Sequence, residues 1–475
     1  MLWVIKAKDD FSFGFAAGKE RESLFRAALR QAGKWLSRRG ADPAATRRKA
    51  ERHLSLLAER YPAQLERIRG LSRALGSDAR EATAAGLALA SLPGTGCTNF
   101  AAVPPATSDG KVYVSWNFDL SPFIRMLIGR MPLYVRDIAG SRPYLCLGMP
   151  VLFGIGVMNG DGLSSCVNSV GAMDGGEGLT FFELNNLAME TQSTVDGAVS
   201  VWRDNPREVL PGVAVAIIMN ANSIFADAGG DAAVIEHSHH HMAVEKAADH
   251  GGVLASANHH QFLDRSLSGG ADPSTEPIIA GSFARLARMW ELLEMFRGDI
   301  DRAKIRMITT DHGLNYSTLA EFGMERGPYD ERVDDATICC HPWNFFRHLR
   351  RMELLDALVE MNIARTLNSI LMDPGRCTVY ITPGNPCRKQ YVPVWVGDVL
   401  RMEWADRARE EIDYLPDWKP SVRSRRIDVF RRPYATKASD RLRSVWLWFF
   451  ASADRLVASS LTKEGAQGVG SAPEG

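Results

Sequence analysis

The stretch Gly94-Thr95-Gly96-Cys97-Thr98-Asn99-Phe100 divides the chain into two parts with different sequence patterns. Before it, apolar residues recur at helical spacing, and after it short alternating runs are separated by glycine turns. Two glycines precede Cys97 and let the backbone adopt conformations that other residues avoid. The run that begins at Cys97 is small, β-branched or aromatic, which predicts a buried strand. Cys97 is therefore either an inert core residue or a nucleophile displayed at the start of a strand.

The residues before this stretch predict a series of helices. Proline is favoured in the first turn of a helix and glycine just after its end, so Pro62 and Gly76 bound one helix, and another is predicted over about Pro43–Arg60. An apolar stripe at helical spacing predicts the helix before these two and is made of Leu24, Phe25, Ala28, Leu29, Ala32, Trp35 and Leu36. We therefore expect residues 1–96 to form a helical segment.

The residues after Cys97 predict an antiparallel hairpin. A strand at Thr98–Val103 is followed by the turn-rich stretch Pro104–Gly110 and by the alternating run Lys111–Asp119. If Val103 lies near the start of that run, the same register places Cys97 opposite Asn117–Asp119. The sequence thus brings polar side chains to the cysteine.

Further elements place two asparagines at strand ends. A second hairpin is predicted over Phe153–Val170, with a turn at Asn159-Gly160-Asp161-Gly162, and its return strand reaches Asn168. A later strand ends at Asn258, and an amphipathic helix over Ser282–Arg297 carries Arg285. The remaining predictions are helices at 181–190 and 195–203, strands at 213–219, 223–227, 232–236, 252–257 and 377–382, and a mixed element at 354–369.

Composition limits the class of protein. The chain has 475 residues, a formal net charge of zero and 24% charged residues, which is typical of a globular enzyme and gives no sign of a nucleic-acid partner. Its seven cysteines include no Cys-x-x-Cys pair and are odd in number, which favours a reducing compartment over a disulfide framework. We find no signal peptide or membrane span and expect a cytoplasmic protein.

The order of the polar motifs resembles a known family. Gly96-Cys97-Thr98, Asn117-Phe118-Asp119, the Asn159–Gly162 turn leading to Asn168, Ala257-Asn258-His259 and Ser282…Arg285 are similar to the acyl-coenzyme A:6-aminopenicillanate acyltransferase family of N-terminal-nucleophile (Ntn) hydrolases. More distantly they resemble the choloylglycine hydrolases. The resemblance covers roughly residues 60–397. It implies an α+β fold, a four-layer αββα Ntn-hydrolase sandwich, in a precursor that cuts itself between Gly96 and Cys97.

The resemblance divides the chain into three parts. Residues 1–96 would be a helical pro-segment that becomes the small chain, and 97–400 the Ntn-hydrolase catalytic domain. Residues 401–475 lie outside the resemblance and are expected to be a partly helical extension with a disordered tail. Within it, Arg441–Leu461 combines aromatics with arginines and either packs on the catalytic domain or makes a weak membrane-surface or partner contact.

The resemblance also implies roles for particular residues. Cys97 would be the nucleophile, and after cleavage its own α-amino group, with a usual pKa of about 7.7–8.0, would take the thiol proton. The other expected catalytic residues are Asp119 to steady the new ammonium, Asn168 and Asn258 as oxyanion donors, and Arg285 near the site. The resemblance further implies a thioester acyl-enzyme and, as substrate, a linear amide or an acyl-CoA-type thioester. Hydrolysis and acyl transfer both stay open. We expect no cofactor.

Several positions depart from the family pattern. Trp116 stands where choloylglycine hydrolases have an arginine, which argues against bile-salt specificity, and the serine that precedes Arg285 is displaced to Ser282. Trp116, Asn117 and Ser282 are the expected substrate-binding residues. The loop Pro104–Gly110 is longer than usual.

Two alternatives stay open from the residues. The cluster His237-Ser238-His239-His240-His241 could hold a metal, although it falls where a hairpin turn is expected and no spaced carboxylate joins it. The chain could also be a non-catalytic scaffold that keeps the fold. A scaffold would remain one intact chain.

Overall fold

The computed structural model describes residues 2–90, 95–120, 133–148, 153–209, 220–268, 280–321, 336–340, 345–353 and 365–395. The strand predicted at 213–219, the first part of the mixed element at 354–369, the extension 401–475 and its Arg441–Leu461 segment lie outside these residues. Within the described ranges, no helix has both the length and the apolar character needed to cross a membrane.

The N-terminal region is mainly helical, as predicted. Its helices are α1 (Asp10–Glu20), α2 (Glu22–Arg38), α3 (Pro43–Arg60), α4 (Pro62–Leu75) and α5 (Ala79–Ala90). The Asp42 side chain caps α3 by accepting from the backbone N–H groups of Ala44 and Ala45. Gly76 ends α4 with φ 63°, a left-handed conformation that glycine adopts without strain, and this confirms its prediction as a stop.

The purely helical prediction for this region is wrong at its start. Leu2–Ala7 forms a strand, β1, which pairs in parallel with the strand Leu133–Ile138. The pairing joins residues more than a hundred positions apart, and a short apolar run gives no local sign of such a partner. The N-terminal segment therefore contributes an edge strand to a sheet made by the rest of the chain.

The described strands form two sheets. The larger, eight-stranded sheet has the spatial order β1, β4 (Leu133–Ile138), β5 (Tyr144–Leu147), β6 (Ile155–Asn159), β7 (Ser164–Ser169), β8 (Ala221–Ala226), β9 (Ala232–His237) and β10 (Met242–Lys246). The smaller, six-stranded sheet has the order β11 (Val253–Ser256), β2 (Thr95–Ala102), β3 (Tyr113–Leu120), β12 (Arg365–Asp373), β13 (Thr378–Ile381) and β14 (Val392–Trp395). The predicted strands that fall within the described residues are confirmed, with ends shifted by a few residues.

Both predicted hairpins are confirmed, the first of them with its predicted register. In β2–β3, Cys97 pairs with Phe118 and Gly96 with Asp119, so the cysteine lies opposite the predicted residues. In β6–β7, the Asn159 side chain accepts from the backbone N–H groups of Asp161 and Leu163, which closes the turn.

The sheets pack on each other and carry helices. Strands β2 and β3 lie against β7 and β8, and apolar side chains from both sheets fill the space between them. Helices α6 (Phe181–Thr191) and α7 (Val195–Asp204) contact the larger sheet, and after the short α8 (Arg265–Ser268), helices α9 (Ala280–Met295) and α10 (Arg302–Thr309) contact the smaller one. Two short helices, α11 (Tyr316–Glu321) and α12 (Phe345–Arg350), follow. This arrangement agrees with the predicted α+β class.

A buried ion cluster joins the N-terminal helices to the sheet. Glu190 at the end of α6 accepts from Arg67 of α4 at 2.8 Å and from Arg136 of β4 at 2.6 Å. The hydroxyls of Tyr61 and Tyr144 donate to the same carboxylate. Burial alone would raise the pKa of Glu190, but the two guanidinium groups outweigh burial and lower it. The carboxylate is therefore charged and fully surrounded by donors.

Helices α1 and α4 approach so closely that their contact requires glycine. A Cβ atom on Gly14 would lie 2.0 Å from the Arg67 carbonyl oxygen, and one on Gly70 would lie 2.1 Å from the Phe11 carbonyl oxygen. Gly33 on α2 is exposed, and a Cβ atom there would meet nothing within 4 Å.

We expect Gly14→Ala to lower the free energy of unfolding by about 2 kcal/mol, because the methyl group forces two backbones apart. Gly33→Ala is the matched control and should raise it by about 0.5–1 kcal/mol, because alanine is the better helix former. Urea unfolding followed by circular dichroism measures both. Equal effects of the two substitutions would contradict the close packing of α1 on α4.

Candidate active site

Cys97 lies inside the protein on β2, with 2% of its surface exposed. Side chains alternate along paired strands, so Cys97 shares a face with Phe118 and Trp116 of β3. The Trp116 indole packs edge-on against the Phe118 ring at 5.2 Å. Asn117 and Asp119 project from the opposite face of the same strand. The hairpin therefore places the thiol on one side of the small sheet and the candidate carboxylate on the other.

Asn258, directly after β11, holds the backbone of Cys97. Its Oδ1 accepts from the Cys97 backbone N–H at 3.0 Å and from Arg285 Nη2 at 2.7 Å. Its Nδ2 donates to the Ser169 carbonyl oxygen at 3.0 Å. Asn258 thus connects the cysteine, the arginine and the end of β7, and three residues predicted for the site come together.

Arg285 reaches the same place from helix α9. Its Nε donates to Thr98 Oγ1 at 3.1 Å, and its side chain is buried. The guanidinium group therefore links the residue after Cys97 to Asn258. This brings a fixed positive charge to the predicted site.

Ser282, predicted to bind substrate, lies behind Asn258. Its Oγ accepts from the Asn258 backbone N–H at 2.7 Å and lies 2.8 Å from His259 Nδ1. The Phe283 ring stacks on the His259 imidazole at 3.6 Å. In this structure Ser282 positions Asn258, and contact with substrate stays a prediction.

Asn168 lies near the end of β7, one residue before the carbonyl that Asn258 contacts. Its Oδ1 accepts from Asn99 Nδ2 at 2.7 Å, and its Nδ2 donates to the Ser256 carbonyl oxygen at 3.4 Å. Asn99 is two positions after Cys97 and shares its face of β2. Asn168 is thereby held next to the cysteine strand through a residue that the sequence reasoning missed, although the two-residue spacing was a usable signal.

Asn117 is fixed within the protein. Its Nδ2 donates to the carbonyl oxygens of Thr309 and Ile338, both at 2.9 Å. These bonds tie β3 to the end of α10 and to the segment 336–340. Both amide hydrogens are used, so the predicted contact with substrate would require one of these bonds to open.

Asp119 is a buried carboxylate whose charge is not fully balanced. Its Oδ2 lies 3.9 Å from Cys340 Sγ, and its Oδ1 has no hydrogen-bond partner among the described residues. Burial raises the pKa of Asp119 to about 7, although the Arg285 charge and the Thr366 hydroxyl act in the opposite direction. In the register of β2–β3, Asp119 stands opposite Gly96, next to the predicted cleavage bond.

The Cys97 thiol is protonated in the intact chain at neutral pH. Burial raises its pKa to about 12, and the Asp119 carboxylate adds to the rise. The Trp116 indole and the Arg285 charge act in the opposite direction but are outweighed. A thiol is a poor nucleophile until it loses its proton, so repeated turnover at this site needs a base.

The sequence reasoning also missed the residue that holds the loop after Asn258. Glu236, the next-to-last residue of β9, accepts from the backbone N–H groups of Gln261, Phe262 and Leu263 at 2.7–2.9 Å. This carboxylate in the larger sheet thus fixes the loop that leaves the smaller sheet. A lone acidic residue in an otherwise apolar strand was the signal.

The histidine cluster lies in the turn between β9 and β10. His237 is buried, and burial lowers its pKa to about 3. His239 Nδ1 lies 2.6 Å from the Arg207 carbonyl oxygen, and His240 is exposed. Among the described residues, these histidines do not converge on one point as metal ligands would. The turn expected from the sequence is confirmed.

Among known proteins, similarity to this chain is found in solved structures. No protein-family model matches the chain, and no curated protein matches it. Among solved structures, penicillin V acylase from Agrobacterium tumefaciens is 14% identical with a TM-score of 0.32, over 60% of this chain and 82% of that one. Two variants of conjugated bile acid hydrolase from Clostridium perfringens are 11% and 12% identical, with TM-scores of 0.32 and 0.26, over 64% of this chain and 93% and 85% of theirs.

The raised pKa of Asp119 predicts a pH dependence of stability. Because the folded-state pKa of about 7 lies above the ordinary aspartate pKa of 3.8, the folded protein keeps a proton that the unfolded chain has released between these pH values. Stability should therefore fall as pH rises from about 4 to 7, by up to about 4 kcal/mol from this group. Asp119→Asn should remove that fall.

Urea unfolding at several pH values, in a Cys97→Ala background that keeps the chain intact, measures this difference. Asp249→Asn is the control, because Asp249 is exposed and its substitution should leave the profile unchanged. Parallel profiles for the Asp119→Asn chain and its parent would contradict the raised pKa.

Proposed function

We propose that this chain is an Ntn-type amidohydrolase or acyltransferase with a four-layer αββα fold, which cuts itself before Cys97 and then uses Cys97 as its nucleophile. The observation that carries the proposal is the hydrogen bond from the Cys97 backbone N–H to Asn258, which also accepts from Arg285. Asp119 stands opposite Gly96 in the neighbouring strand. The motif order along the chain supports the same conclusion.

The proposed self-cleavage is a transfer of the Gly96 acyl group from nitrogen to sulfur. Cys97 Sγ attacks the carbonyl carbon of Gly96, the C–S bond forms, the C–N bond breaks, and the thiol proton passes to the departing nitrogen. Water then opens the thioester, which leaves a carboxylate on Gly96 and restores the thiol. Cys97 now carries a free α-amino group where it carried an amide.

The new amino group supplies the base that the intact site lacks. An α-amino group has a pKa of about 7.7–8.0 and exchanges protons readily at neutral pH. Asn258 Oδ1 already accepts from this nitrogen, and Asp119, whose Oδ1 has no partner within the described part of the chain, gives the new positive charge a nearby counter-charge. The amine would therefore be held in place while it takes the thiol proton.

The two asparagines can stabilise the oxyanion. Each side-chain amide has two hydrogens, and one hydrogen of each is used by the carbonyl oxygens of Ser169 and Ser256. The second hydrogen of Asn168 and of Asn258 is the donor we assign to the oxyanion of the tetrahedral intermediate. This intermediate collapses to a thioester acyl-enzyme, which water resolves in hydrolysis and an amine resolves in acyl transfer. The substrate class is a linear amide or acyl thioester.

We expect the purified chain to consist of residues 1–96 and a second chain that begins at Cys97. Cys97→Ala should remain a single chain, and Cys97→Ser should cleave more slowly, because a hydroxyl is the weaker nucleophile. Intact-mass spectrometry distinguishes these states. Cys146→Ala is the matched control, since Cys146 is also a buried strand cysteine and its loss should leave cleavage unchanged. An uncleaved wild-type chain would favour the scaffold alternative.

Asn258→Ala should slow self-cleavage by about a hundredfold or more, because it removes both the contact to the Cys97 amide and an oxyanion donor. The rate can be followed by mass spectrometry after cell-free synthesis, which needs no substrate. The control is His240→Ala, in the exposed part of the β9–β10 turn, which should cleave at the wild-type rate. If Asn258→Ala cleaves normally but unfolds more easily, Asn258 has only a structural role.

A further inference from the structure

Three side chains that commonly bind metal converge next to β12. His312 follows α10, Cys339 belongs to the segment 336–340, and Cys387 follows β13. One ligand atom of each, a ring nitrogen or Sγ, lies within 4.8 Å of the other two. In the sequence, 26 residues separate His312 from Cys339 and 47 separate Cys339 from Cys387. No short sequence motif therefore predicts this cluster.

The segments that carry these side chains are fixed by other contacts. The Cys339 N–H donates to the Asp311 carbonyl oxygen at 3.0 Å, next to His312, while Arg288 holds the Asp311 carboxylate with two bonds of 3.0 Å. The Arg388 N–H closes a turn onto the Asn385 carbonyl oxygen at 3.0 Å around Cys387. The backbone therefore brings the ligand atoms together before any ion binds.

Two thiols and one imidazole are a ligand set with a chemical preference. Thiolates and imidazole favour Zn²⁺ over the oxygen-seeking Mg²⁺ and Ca²⁺. Tetrahedral zinc, with bonds of about 2.3 Å to sulfur, holds two sulfurs about 3.8 Å apart. The two sulfur atoms lie within 4.8 Å of each other, so the distance between them needs to shorten by about 1 Å at most when zinc binds.

We propose that His312, Cys339 and Cys387 form a zinc site with an open fourth position. Within the described residues no fourth histidine, cysteine or carboxylate joins the group. The convergence of a histidine with both cysteines favours a metal site over a disulfide, which would need the two sulfurs alone. This proposal does not depend on the function of Cys97.

The zinc site adjoins the candidate active site through one residue. Cys340 follows Cys339, and its Sγ lies 3.9 Å from Asp119 Oδ2 and 2.8 Å from the Thr337 carbonyl oxygen. The Cys340 backbone also pairs with Thr366 of β12, by a bond of 2.8 Å to the hydroxyl and one of 3.0 Å from the Thr366 N–H. A bound zinc would fix the segment that packs against Asp119.

The test is zinc content and a cobalt spectrum of the full chain. After loading with Zn²⁺ and gel filtration, plasma mass spectrometry should find about one zinc per wild-type chain and at least about tenfold less in Cys387→Ser. Cys377→Ser is the matched control, because Cys377 is also half-buried but contacts the Gly160 carbonyl oxygen, and it should retain the metal. Wild-type chain loaded with Co²⁺ should show thiolate-to-cobalt charge-transfer absorption.

Two results would overturn the proposal. One is a wild-type zinc content no higher than that of Cys387→Ser, together with a cobalt spectrum without thiolate bands. The other is a Cys339–Cys387 disulfide in peptide maps of protein kept under anaerobic conditions. Because the cobalt spectrum uses the unmodified chain, the test stands even if a variant fails to fold.

Discussion

The buried carboxylate of Glu190 constrains the whole arrangement. A charge without water must be paired, and removal of one partner of such a pair costs about 3–5 kcal/mol. Arg67 comes from the N-terminal helices and Arg136 from the larger sheet, so neither part can leave without exposing the other's charge to an apolar interior. Together with the pairing of β1 to β4, this cluster makes residues 1–96 part of the common core. Cleavage at Gly96 would therefore yield two chains that stay together.

The two buried carboxylates Glu190 and Asp119 have pKa values shifted in opposite directions. Glu190 is surrounded by donors and its pKa is lowered, whereas one oxygen of Asp119 has no partner among the described residues and the pKa of Asp119 is raised to about 7. The charge of Glu190 is already balanced by the donors around it. Asp119 is suited to a cation that the intact chain does not yet contain, and on the proposed function that cation is the ammonium of Cys97. A buried carboxylate whose charge is only partly balanced is typical of a functional site. A buried carboxylate whose charge is fully balanced is typical of a structural role.

The features that the sequence predicted correctly are set by residues close together in the chain. The glycine stop at Gly76, the Asn159 turn and the register that sets Cys97 opposite Phe118 all follow from neighbouring residues and strand periodicity. The features that it missed join distant segments. The parallel pairing of β1, the hold of Glu236 on the loop 261–263 and the cluster of His312 with two cysteines each depend on tertiary packing. No periodicity or motif spacing specifies such contacts, because their partners lie in other elements.

The burial of Cys97 adds a reason for cleavage beyond the release of an amine. In the intact chain Thr95 and Gly96 occupy the start of β2, paired with Leu120 and Asp119, and the thiol has almost no exposed surface. A substrate carbonyl must approach the sulfur to about 3–3.5 Å, and on the proposed function the Gly96 carbonyl is the first acyl group to react there. Once the bond is cut, Thr95 and Gly96 are no longer held to Cys97 by a peptide bond and are free to leave β3. On the proposed function, the residues that serve as the first substrate would thereby leave the place that later substrates need, so a single cut would both create the base and open the acyl site.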